Sequence, residues 1–124
     1  MKTVLVIEDN QDSLRLITYA LQHAGYKVIS TGTGEEGVEM AIRILPYFII
    51  MDINLPGIDG LEAARQIRAS KADGTIPIIA ITSFAMYGDR DKVLEAGCTG
   101  YFEKPIDPLN IVEVIHEVIG VTNE

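Results

Sequence analysis

The chain has 124 residues, is 48% hydrophobic, and carries a net charge of −8 with a pI near 4.6. That length suits one domain able to bury roughly two-thirds of its surface, and the acidic balance argues against direct binding to nucleic acid or to an anionic membrane. A single cysteine, Cys98, excludes an internal disulfide and suits a reducing cytoplasm, while no apolar stretch reaches signal-peptide or membrane-spanning length.

Apolar runs of strand length alternate with segments of helical period along the whole chain. "TVLVIE" (3–8) reads as the first strand, followed by a helix marked by Leu14, Ile17, Leu21 and Ala24 that stops at Gly25. "KVIST" (27–31) is the second strand. Thr33 and Glu36 then form a capping box for a helix carrying Val38, Ala41, Ile42 and Leu45. "YFIIMD" (47–52) is the third strand, with turn chemistry at Pro56-Gly57 and a helix at Leu61, Ala64 and Ile67. "PIIAIT" (77–82) leads to a helix at Val93, Leu94 and Ala96, with Gly97 at its C-cap. "GYFEK" (100–104) precedes the last helix, marked by Ile111, Val114, Ile115 and Val118, which ends near Gly120 and leaves the short tail "VTNE". Three of these strands are continuous Val/Ile-rich runs, the pattern of parallel strands covered on both faces. Five strand–helix units in strict alternation predict an α/β sandwich around a parallel sheet with right-handed crossovers. No internal boundary interrupts it, so residues 1–124 read as one domain with a tail at 121–124.

All strands of such a sheet deliver their carboxyl ends to one edge, where ligands bind. The residues at those ends are Glu8 and Asp9, Asp52, Thr82 and Lys104. Three carboxylates and one ammonium sum to about −2, and this crowded, hard-oxygen rim is short of a cation. Mg²⁺ is the natural occupant, with Mn²⁺ as a substitute. A carboxylate such as Asp52, beside a metal ion and a lysine, can accept a phosphoryl group because both cations offset charge on the transferring oxygens.

The segments "VIEDN", "MDINLPGIDG", "IAITS" and "YFEKP" follow one another in an order that resembles the receiver domains of two-component response regulators, the CheY-like superfamily, over residues 2–119. The resemblance implies a flavodoxin-like, doubly wound (βα)5 fold with strand order 2-1-3-4-5. It implies that Asp9 ligates Mg²⁺ directly or through water, that Glu8 acts mostly through water, and that Asp52 is both phosphoacceptor and ligand. The backbone carbonyl of Asn54 matches the third protein ligand, Thr82 the switch hydroxyl, Tyr101 the switch aromatic, and Lys104 the lysine that touches the phosphoryl group. Lys104–Pro105 corresponds to a peptide bond that is usually cis. Ser83 and Phe84 depart modestly from the pattern. Ser83 is small enough to leave phosphoryl access open, while Phe84 would shield an acyl phosphate from water. The stretch "SFAMYGD" is similar to that of free-standing DivK-like regulators.

Other motifs lead elsewhere and are set aside on physical grounds. "GTGEEG" (32–37) matches a dinucleotide-binding glycine pattern, but Glu35 and Glu36 sit where a pyrophosphate would have to lie and would repel it. A flavin phosphate loop would not be acidic, as "EDNQDS" is, and an Asp-x-Asp phosphatase would need an acid at Asn54. Cys98 reads as a small buried apolar residue, and His23 and His116 as surface residues. The expected function is therefore a two-component response regulator that takes its phosphoryl group from a histidine kinase or histidine phosphotransfer protein. Its own chemistry is limited to self-catalysed phosphoryl transfer and autodephosphorylation. Phosphorylation would switch the surface of the fourth helix, fifth strand and fifth helix toward a downstream protein target or onward phosphotransfer. Met1 suits a native start and a free-standing protein; the receiver part of a longer hybrid kinase or transcription factor is the competing reading. A degenerate receiver that only binds partners is disfavoured by the full acidic set.

Overall fold

The computed structural model describes residues 1–70, 75–82 and 89–120. The elements run β1 (Thr3–Ile7), α1 (Gln11–His23), β2 (Lys27–Thr31), α2 (Gly34–Ile44), β3 (Ile49–Asp52), α3 (Gly60–Ala69), β4 (Ile78–Thr82), α4 (Asp89–Glu95), β5 (Gly100–Glu103) and α5 (Ile111–Ile119). Ser83, Phe84 and nearly all of "SFAMYGD", together with the tail 121–124, lie outside the described residues.

The five strands form one parallel sheet in the order β2-β1-β3-β4-β5, the doubly wound arrangement expected. Residues along each strand alternate between the two faces. Leu5, Ile7, Ile49, Met51, Ile78 and Ala80 pack with α2, α3 and α4 on one side. Val4, Val6, Phe48, Ile50, Ile79 and Ile81 pack with α1 and α5 on the other. Both faces are covered, which is why these strands are continuously apolar rather than alternating. All five strand ends therefore point to one rim, and all five strand starts to the opposite one.

Local chemistry accounts for the helix ends. Asn10 caps α1 through Ser13 N–H at 2.9 Å, and Asp59 caps α3 through Glu62 N–H at 2.8 Å. At α2 the Thr33 hydroxyl accepts the Glu36 N–H at 3.2 Å, while the Glu36 carboxylate takes the hydroxyl proton of Thr33 at 3.1 Å.

Some expectations shift. β3 begins at Ile49 rather than Tyr47, although Tyr47 N–H already donates to Thr3 C=O at 2.8 Å. Leu45, read as part of the apolar face of α2, is instead its C-cap in the left-handed region, with φ of 48°. Leu45, Ile42 and Leu94 are all more than 40% exposed. The apolar stripe read from their spacing is wider than the face each helix lays on the sheet. His116 is no plain surface residue either: its Nε2 lies 2.8 Å from the Tyr26 hydroxyl, and it is half-buried. Cys98 is buried, and burial pushes its thiol up to about 11, so it behaves as a small apolar group.

Candidate functional site

Each strand end supplies one part of the rim. The apolar stretch of β1 ends at Ile7, and Glu8 follows, buried to 1% exposure with its N–H donated to Thr31 C=O at 3.0 Å. Asp52 closes β3 at 2% exposure, and Thr82 closes β4 at 6%. Lys104 follows β5, and its N–H donates to Thr82 C=O at 2.8 Å, so the chain is still tied to the sheet where the ammonium departs. The Lys104–Pro105 peptide is cis.

Lys104 draws the carboxylates together. Its Nζ donates to Asp52 Oδ2 at 3.1 Å and stands 3.0 Å from Glu8 Oε1, the latter an ion pair without hydrogen-bond alignment. One carboxylate oxygen each from Glu8, Asp9 and Asp52 lies within 4.8 Å of the others, with Asp9 exposed and the other two buried. Asn54, just beyond Asp52, donates its N–H to Asp52 Oδ1 at 3.0 Å. Both oxygens of Asp52 are thus held, one by an amide and one by an ammonium. Tyr101 lies on β5 opposite Ala80 and packs against the apolar layer on the α2–α4 side instead of joining the charged group.

The electrostatics follow from this crowding. Glu8 is pushed up to about 7, chiefly by burial and then by the nearby Asp52, against the downward pull of Lys104. Burial lowers Lys104, but Glu8 and Asp52 outweigh it and leave the ammonium above its ordinary value. Among the described residues Glu8 Oε1 accepts no hydrogen bond, although it is fully buried. The three carboxylates and the neighbouring backbone turn make an oxygen-only donor set, which fits a hard divalent cation.

Sequence reasoning passed over two neighbours. Thr31, at the end of β2, accepts the Glu8 N–H with its carbonyl, and its buried hydroxyl makes no hydrogen bond among the described residues. Glu35 crosses from α2 to accept the N–H of Ile58 at 3.0 Å, in the loop after Asp52. Strand-end position could have flagged Thr31; no local spacing signals Glu35.

A family model described as "Response regulator receiver domain" matches residues 4–116. The polar-differentiation response regulator DivK of Brucella ovis is 35% identical over 119 residues, 96% of this chain and 97% of its own length. Among solved structures, the receiver domain of a Pseudomonas aeruginosa sensor histidine kinase, with a magnesium ion coordinated in its active site cleft, is 35% identical. It superposes with a TM-score of 0.87 over 96% of this chain and 98% of that one. A chemotaxis response regulator of Vibrio cholerae, CheY4, is 26% identical with a TM-score of 0.89 over 95% and 98% of the two chains.

Proposed function

The chain belongs to the response regulator receiver family, and from that premise we propose that Asp52 accepts a phosphoryl group from a histidine kinase or histidine phosphotransfer protein. One observation carries the assignment: at the end of the central strand β3, Asp52 accepts the Asn54 N–H with one oxygen and the Lys104 ammonium with the other. An Asp52 oxygen attacks the phosphorus of the phosphohistidine, the N–P bond breaks, and the imidazole leaves as an acyl phosphate forms. Asn54 N–H orients the nucleophile, and Lys104 offsets charge on the incoming oxygens. Glu8, Asp9, Asp52 and the Asn54 carbonyl would hold Mg²⁺, with Mn²⁺ as substitute. When bound, the ion supplies further charge neutralisation at the phosphoryl oxygens.

Downstream of the chemistry, Thr82 donates its hydroxyl to the new oxygens, and Tyr101 turns inward behind it. The surface formed by α4, β5 and α5 is thereby reshaped for a downstream protein target or onward phosphotransfer. The protein turns over no separate substrate; its catalysis is confined to its own phosphorylation and dephosphorylation. Residues 1–124 make one receiver domain. No helix among the described residues is long and apolar enough to cross a membrane. The single cysteine supports assignment to the cytoplasm.

The test is direct. Acetyl phosphate with Mg²⁺ should add one phosphoryl group, read by intact mass, and Asp52→Asn should abolish it. Labelling undiminished in that variant, or labelling that needs no divalent ion, overturns the assignment. Thr82→Ala should still be labelled while the β5 amide shifts that report on Tyr101 stay near their unphosphorylated values. Wild-type shifts in labelled Thr82→Ala would remove the hydroxyl from the switch.

A further inference from the structure

We infer that Glu35 is a positioning residue for the metal side of this site, a latch that holds the Asn54 loop against α2. The inference rests on the reading of the rim given above. The two adjacent acids of "GTGEEG" have different partners. Glu36 closes the cap with Thr33, whereas Glu35 reaches out of its helix to the Ile58 N–H, 23 residues along the chain.

The loop from Ile53 to Asp59 is fastened at its base. Gly60 N–H donates to Ile53 C=O at 2.9 Å, Asn54 N–H to Asp52 Oδ1 at 3.0 Å, and Leu55 is buried in the core. Its tip, Pro56-Gly57-Ile58, projects toward α2, and there Glu35 takes hold. The loop and the helix approach closely. Gly57 has φ of +77°, and a Cβ on it would lie 2.4 Å from both oxygens of the Glu35 carboxylate. On the helix side, a Cβ on Gly34 would lie 2.6 Å from the Ile58 carbonyl oxygen. A backbone carbonyl serves as a ligand only if its loop is held to a fraction of an ångström. The charged acceptor at the tip fixes the tilt of the peptide planes between Asp52 and Ile58, Asn54 among them.

The experiment measures labelling by acetyl phosphate as a function of Mg²⁺ in wild type, Glu35→Ala and Glu35→Gln. It also follows a donor-free Mg²⁺ titration through the Asn54 and Ile58 amide resonances. Losing one charge-assisted hydrogen bond should raise the half-saturating Mg²⁺ of Glu35→Ala about three- to tenfold in both assays. The rate at saturating Mg²⁺ should stay within about twofold, since nothing that touches the phosphoryl group has changed. Glu35→Gln keeps an acceptor oxygen at the same reach and should restore near-wild-type half-saturation. Unchanged half-saturation in Glu35→Ala overturns the latch, and so does a Glu35→Gln variant as impaired as Glu35→Ala, which would point to charge alone. If the wild type binds Mg²⁺ with this dependence on Glu35 yet is never labelled, the latch stands and the phosphoacceptor reading falls.

Discussion

The two ends of the sheet solve opposite problems with neighbouring residues of the same strands. At the carboxyl end, Glu8, Asp52 and Lys104 are packed together with more negative charge than positive, and among the described residues the buried Glu8 Oε1 and Thr31 hydroxyl make no hydrogen bond. At the amino end, Tyr26, Tyr47 and Phe48 pack ring against ring, Tyr26 bonds His116, and the Lys2 ammonium sits 3.8 Å over the Tyr47 ring. There the Tyr26 hydroxyl and the Lys2 ammonium both meet groups of the protein itself. The difference separates an end whose side chains pack on one another from an end whose charges crowd. The amino end is closed on itself, and the carboxyl end is left wanting a ligand.

The comparison breaks most visibly in the core of the amino end. Phe48 is wholly buried beneath the tyrosines, so Phe48→Ala should cost about 3–5 kcal/mol in denaturant unfolding with EDTA. The variant should keep its Asp52 labelling wherever it remains folded; a loss below 2 kcal/mol, on the order seen for partly exposed sites, would mean the aromatic cluster is not a support. Next in size is Lys104→Met, which leaves two buried carboxylates facing each other. It should cost about 2 kcal/mol without metal at pH 8, less than for a fully enclosed pair because the lysine side chain is 21% exposed. Added Mg²⁺ should recover part of that loss, and no recovery would argue that the carboxylates do not share an ion.

The third prediction sharpens the contrast through pH. Glu8 titrates at about 7 in the folded protein against an ordinary value of 4.5, so the folded state holds that proton the more tightly. Its contribution to stability is therefore fully present below 4.5 and is lost as pH rises through about 7. The metal-free protein should lose stability from pH 5 to pH 8, and Glu8→Gln should flatten that slope. Mg²⁺ at ten times its pH 8 dissociation constant should add about 1.4 kcal/mol at pH 8 and less at pH 5.5, where it must displace a proton. Equal stabilisation at both values would detach Glu8 from the ion. Relief of the same repulsion should let Asp52→Asn gain about 1 kcal/mol in EDTA, with little further gain from Mg²⁺. Smallest of all, Tyr26→Phe removes the hydroxyl that meets His116 and should cost about 1 kcal/mol while leaving phosphorylation untouched. A change in labelling there would mean that the two ends are coupled.

Much of this was legible before any coordinates, for a physical reason. Parallel strands covered on both faces are apolar along most of their length, so a carboxylate at or just past the end of such a run, as Asp52 and Glu8 are, marks the shared rim. What escaped notice depends on long-range packing. Leu45 and Ile42 keep helical spacing, yet α2 turns them to solvent. His116 finds Tyr26 90 residues away, and Glu35 finds Ile58 across the crossover. Periodicity describes an element alone and cannot tell which flank its neighbour will cover.

Gly60 extends the lesson to what this surface can become. Its backbone dihedral is ordinary, so only space forbids a side chain: a Cβ there would lie 2.4 Å from the Asp52 carbonyl oxygen and 2.7 Å from the Ile53 Cα. The first turn of α3 therefore rests on the main chain of Asp52 with nothing between them. Whatever displaces α3, whether a substitution on its outer face or a protein seated on it, pushes directly on the atom framework of Asp52. This contact has no slack, so the seat of α3 and the backbone of Asp52 move together.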